Sequence, residues 1–188
     1  MRKDFGKKSW LVPMPVFIIG TYDENGVADA MNAAWGGMYD TNQVTVSLGS
    51  HVSTDNIRKN KAFTISFATK KTVEASDYVG LVSFAKDPKK LEKAGLHPFK
   101  SEKVNAPLFK EYPLTIECEL VSLDGEEGKG GTLVGDIINI SADESILTEG
   151  KIDFDKLEAI AFDPINNKYR LVKEEVADAF KVGMNIVK

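Results

Sequence analysis

Of 188 residues, one is cysteine and two are histidine. A lone thiol, Cys118, excludes an intrachain disulfide and fits a reducing compartment, so a cytoplasmic protein is expected. Cys118, His51 and His97 are too few for a Cys/His zinc centre, and no metal site is expected. A basic excess is also missing. Lys+Arg 24 against Asp+Glu 28 leaves a net charge of −4, with a pI near 5.3. Nucleic-acid binding needs a basic surface that releases counterions, so no such partner is expected. Long apolar runs are absent. The longest stretch near the start is interrupted by Pro13 and Pro15 and falls well short of the roughly 20 residues that cross a bilayer. The opening MRKDFGKKSW is basic, but no apolar segment with a small-residue cleavage site follows it. It is not expected to act as a secretory signal.

Familiar catalytic signatures are lacking too. There is no Ser-His-Asp or Cys-His arrangement and no paired-carboxylate motif. No Gly-x-Gly-x-x-Gly follows a strand, which leaves a Rossmann site unsupported. Gly128-Lys129-Gly130-Gly131 lacks the spacing of a P-loop and precedes a strand where a helix should begin. No protein side chain is therefore expected to act as a catalytic acid, base or nucleophile.

What is present is enough apolar material, 43% of residues, for a core without staples. The length suits a single domain spanning 1–188. Pro15–Tyr22 is rich in β-branched and aromatic residues and reads as a strand. Asn25-Gly26 supplies a hairpin turn, and Val27–Trp35 returns as a strand of small residues. Gln43–Gly49, Ala62–Ala68, Pro113–Leu123, Thr132–Ser141 and Lys168–Val172 read as further strands. Short helices are expected from Ser53-Thr54-Asp55-Asn56 to Asn60, over Lys71–Tyr78 and Pro88–Ala94, around Asp155–Ile160, and over Glu174–Phe180. Strands in hairpin succession favour an antiparallel barrel over a βαβ layout.

Three segments could carry chemistry. Met31–Gly37 is unusually small for a strand, which lets a flat ligand approach the backbone, or lets the strand pack tightly against another backbone and end in a Gly36-Gly37 turn. Asn32 adds both a donor and an acceptor. Ser47–Asn56 opens a helix with two hydroxyls, suited to a phosphate or to ordinary capping. Ala75–Ser83, with Lys86 beyond, could close over a ligand edge or simply end a helix. Cys118 lies mid-strand on an apolar face and reads as a packed, inert thiol.

In this order the segments PVFIIGTYDENGVADAMNAAWGG, SLGSHVSTDNI, EASDYVGLVS, LEKAGLHPFKSEKVNAPLFKEYPLTIECEL, TLVGDII and IDFDKLEAIAFDPINNKYRLV resemble the flavin reductase-like, flavoredoxin-type family of FMN-binding split-barrel proteins. The resemblance implies a mainly β fold: a six-stranded antiparallel split β-barrel with short helical insertions. It also implies a homodimer with FMN near the subunit interface. Asn32, Ala33, Ala34 and Trp35 match positions along the isoalloxazine ring. Ser47 and Leu48 match contacts to ring and ribityl chain, and Ser53 and Thr54 match hydroxyls at the phosphate. Ser83, with Lys86 or a neighbouring lysine, falls in the closing loop, and Tyr169 lies in a C-terminal strand. Two departures stand out. Phe84 occupies a position where many relatives have glycine. Lys129-Gly130-Gly131 replaces the Gly-Asp-His loop that touches nicotinamide in reductases using flavin as a substrate. The implied function is a flavoprotein passing electrons from NAD(P)H or a reduced protein to an acceptor. The alternative is a non-enzymatic FMN-binding electron carrier or flavin-storage module.

Overall fold

Turn chemistry sets the first hairpin. Strands Phe17–Tyr22 (β1) and Ala28–Ala33 (β2) pair antiparallel. Between them Asp23 Oδ1 accepts the amides of Asn25 and Val27 at 2.9 and 2.8 Å. Gly26 takes the positive φ of +78° that the tight turn requires. The structure is a computed structural model and describes residues 1–187.

The main sheet continues through Gly36–Asp40 (β3), Gln43–Leu48 (β4), Ala62–Phe67 (β5), Leu114–Leu123 (β6) and Gly131–Ala142 (β7). Its seven strands run in the order β2-β1-β5-β6-β7-β4-β3, with every pairing antiparallel. The two outermost strands, β2 and β3, are joined by only Ala34 and Trp35. A sheet whose edges are so tethered must curl until the edges nearly meet, which makes a barrel split along one seam. The mainly β, split-barrel expectation holds, with seven strands in place of six.

The barrel interior holds Phe17, Ile19, Met31, Val46, Phe63, Ile65, Ile116, Cys118 and Leu133. Ile57 from the helix Val52–Asn60 (α1) joins this cluster. On the outer face of β1 a second cluster gathers Val16, Ile18, Ala30, Val79 and Phe109. β1 is thus buried on both faces, and that is why PVFIIG is unbroken by polar residues. Val79 belongs to the helix Val73–Leu81 (α2). A three-stranded sheet, Met14–Pro15 with Ile160–Asp163 (β8) and Lys168–Leu171 (β9), packs beside the seam.

Several local expectations are corrected. Gly36-Gly37 opens a strand because β4 supplies hydrogen-bond partners, overriding the turn preference of the pair. The N-cap of α1 is His51, two residues before the first of the hydroxyl residues, Ser53. Phe154–Leu157 is helical, and the chain then enters β8. Glu174–Phe180 is not helical; only Val182–Val187 forms a 3-10 segment. Val176 and Phe180 are almost wholly exposed, so the tail has no packing surface to stabilise a short helix.

Cys118 is fully buried, and burial, with Asp136 and Glu117 nearby, pushes its thiol up to about 12. The native protein should therefore show no reaction with a disulfide reagent at pH 8, and one thiol per chain in urea. Rapid native labelling would contradict this burial.

Candidate functional site

At the seam, β2 has a backbone edge with no strand partner among the described residues, and the Ala34-Trp35 link crosses the gap. Small side chains leave room there. A cavity of about 310 Å³ opens on Asn32, Ala33, Ala34 and Trp35 from the seam and on Ser47 and Leu48 from the end of β4. All six residues expected along a flavin ring therefore meet in one cavity. Its remaining wall includes Phe162 of β8 and Tyr169 of β9. The Phe162 ring lies 6.5 Å from Trp35 and 6.2 Å from Tyr169, forming an aromatic side.

A second cavity, about 200 Å³, adjoins the first, and both are lined by Met31, Asn32 and His51. Its wall adds Asp29 of β2, Val52 and Ser53 from the start of α1, Val79 to Phe84 from the end of α2 and the loop after it, and Lys90. The amides of Thr54 and Asp55 turn to the His51 carbonyl. Those of Val52 and Ser53 precede any intrahelical acceptor, and the His51 side chain caps neither. The second cavity thus meets free N–H groups and the positive end of a helix dipole.

Charge here is concentrated in one buried pair. Lys90 is 2% exposed, and its Nζ lies 2.8 Å from Asp29 Oδ1 and donates to the Val82 carbonyl at 3.2 Å. Asp29 also accepts the Ala30 amide at 2.8 Å and the Ser53 hydroxyl at 2.6 Å. Among the described residues two of the three ammonium protons have protein partners, and Lys90 lines the second cavity.

The remaining expected residues separate. Ser53 lines the second cavity, but its proton goes to Asp29. Thr54 is fully buried, donates to the Gly49 carbonyl at 2.9 Å and lines neither cavity. Neither hydroxyl has a proton left for an anion. Ser83 lines the second cavity. Lys86 is exposed and lines neither, its amide bonding the Ser83 carbonyl at 3.0 Å. The lysine at the cavity is Lys90, which sits in the charge run KDPKKLEK and looks solvated in the sequence. His51 was equally unmarked: it reads as one more loop residue before a helix.

α2 positions the wall from behind. Asn32 Nδ2 donates to the Ser76 carbonyl at 2.9 Å, and the Tyr169 hydroxyl donates to Asp77 Oδ1 at 2.6 Å. Gly80 allows the approach: a Cβ there would sit 2.8 Å from Asn32 Cβ. On the other side, Arg58 fastens the hairpin loop by donating to the carbonyls of Asp124 and Lys129, both at 3.0 Å.

A family model described as flavin reductase like domain matches residues 9–157. No curated protein sequence matches the chain. Among solved structures, the flavoredoxin of Desulfovibrio vulgaris (Miyazaki F) is 32% identical with a TM-score of 0.90, covering 97% of this chain and all of that one. The flavoredoxin from Methanosarcina acetivorans is 28% identical with a TM-score of 0.87, covering 99% and 100%. Nitrilotriacetate monooxygenase component B from Bacillus cereus, at 19% identity and a TM-score of 0.75 over 94% and 98%, shares the fold. Seam, paired cavities, matching family model and flavoredoxin likeness agree, and the chain belongs to the flavin reductase-like domain family.

Proposed function

We propose that this protein binds one FMN per chain and passes electrons from NAD(P)H or a reduced protein to an acceptor. The observation that carries the reading is the pair of adjoining cavities, one aromatic-walled, the other polar, with the Lys90–Asp29 pair beside the start of α1. Their chemistry fits FMN. The first offers small residues and rings for an isoalloxazine. The second offers two free amides and the Lys90 ammonium for a single phosphate. Residues for the ring side are Asn32, Ala33, Ala34, Trp35, Ser47 and Leu48; for the phosphate side, Lys90, Val52, Ser53 and Ser83. FMN, when bound, supplies the two-electron chemistry, and the protein supplies orientation and electrostatics.

Cofactor released by heat should run as FMN, one per chain; recovery of FAD alone, or no uptake of FMN, defeats the proposal. The donor is read from the hairpin. Lys129-Gly130-Gly131 offers no imidazole to a nicotinamide, and Arg58 holds it in place. A donor misplaced by about 1 Å can lose roughly a hundredfold in rate. NADH and NADPH are therefore expected to bleach the flavin slowly, and a small reduced redox protein to do so faster. Bleaching by NADH or NADPH within milliseconds in anaerobic stopped flow would favour a plain reductase.

A homodimer completes the proposal. Trp35, just before the edge strand β3, and Met38 and Tyr39 within it are exposed, a surface that calls for a partner. Light scattering should give twice the 20.7 kDa of one chain; a monomer at micromolar concentration would refute the dimer.

A further inference from the structure

Tyr169 lines the ring cavity, and its hydroxyl proton is committed to Asp77, which lines neither cavity. Among the described residues, no lysine, arginine or histidine forms an ion pair with Asp77. Its carboxylate therefore reaches the cavity through a single phenol. Burial pushes that phenol up to about 12, Asp77 adds to the rise, and a hydrogen bond with Asn32 opposes it. Tyr169 stays protonated, its proton faces Asp77, and what remains for the cavity is oxygen lone pairs. Asn32 is held by the neighbouring Ser76 carbonyl. Two adjacent residues of α2 thus fix two residues of the cavity wall.

We propose that Asp77 is a positioning residue which, through Tyr169, sets a negative potential at the ring cavity and keeps the bound flavin at a low reduction potential. The proposal rests on the FMN reading above. Reduction adds electron density to the ring, and an uncompensated carboxylate behind the wall opposes it in a partly dry site. A low potential suits a protein whose role is to hand electrons on. Removing the charge while keeping the acceptor oxygen should therefore ease reduction.

The test compares wild type, Asp77→Asn, Tyr169→Phe and the double variant, each loaded with FMN. Each is reduced by dithionite under argon in equilibrium with a reference dye. Asp77→Asn retains an oxygen for the Tyr169 proton, so FMN affinity should stay within about threefold of wild type. At a fixed dye ratio, the ratio of reduced to oxidised flavin should rise by about tenfold, a charge effect weakened by an effective dielectric near 20. Tyr169→Phe removes the phenol oxygen but leaves the Asp77 charge, so it should shift the ratio in the same direction by less, and the double variant should add little beyond Asp77→Asn. An Asp77→Asn protein that binds FMN with an unchanged potential overturns the proposal. Should that variant fail to fold by circular dichroism, Tyr169→Phe decides alone: a raised potential supports the proposal, an unchanged one overturns it. Wild type that takes up no FMN overturns the flavin reading and this proposal together.

Discussion

Lys90→Met should lower the stability of the fold by about 3–5 kcal/mol, because it strands a buried carboxylate. Asp29 would keep the Ala30 amide and Ser53 hydroxyl but lose the one cation paired with it among the described residues. The cost should fall substantially when Asp29→Asn is added, since an amide tolerates burial without a counterion. Urea melts of the three proteins check this. A single variant as stable as wild type, or a double variant no better than the single, would mean that the pair is not buried as described. The double variant then isolates the ligand question. Losing a charged hydrogen bond should weaken FMN binding by about 1.5–3 kcal/mol, roughly one to two decades. Riboflavin, which has no phosphate, should bind as it does to wild type. Equal weakening of both ligands would remove the phosphate from the second cavity.

How much of this the sequence displays depends on how local each signal is. Asn25-Gly26 and the doubly buried PVFIIG run announce the first hairpin without help from the rest of the chain. The small residues of ADAMNAAW mark the first cavity because the need for space is written directly into side-chain size. Lys90 is different. Its neighbours Lys89 and Lys93 are solvated, and only the fold brings Asp29 beneath it. A long-range ion pair leaves no periodic trace. Ser53 and Thr54 show a related limit: a hydroxyl at a helix start advertises a proton, but the sequence does not say that Asp29 and the Gly49 carbonyl take it. Strand β3 shows tertiary partners overriding the turn preference of Gly36-Gly37. The Glu174–Phe180 tail shows the reverse, helix propensity left without a surface to pack on.

Gly80→Ala separates stability from function most sharply. The added Cβ would lie 2.8 Å from Asn32 Cβ, an atom close to the backbone of β2 that cannot swing aside. The end of α2 must move away, at a cost of about 1–3 kcal/mol for overpacking. Alanine in a helix recovers up to about 1 kcal/mol of that through propensity. The net change in stability should therefore be small to moderate. The displacement, however, pulls on both hydrogen bonds that set the cavity wall, Asn32 to Ser76 and Tyr169 to Asp77. Misplacing a packed ring wall by a few tenths of an ångström should weaken FMN binding by roughly tenfold or more, with riboflavin weakened alike, because the damage is on the ring side. Gly37→Ala is the control: it too lies beside the seam, but a Cβ there meets nothing within 4 Å. Fluorescence titration of both variants with both ligands gives the answer. Wild-type affinity in Gly80→Ala would show that α2 does not position the ring cavity. A loss confined to FMN would place the helix end at the phosphate alone.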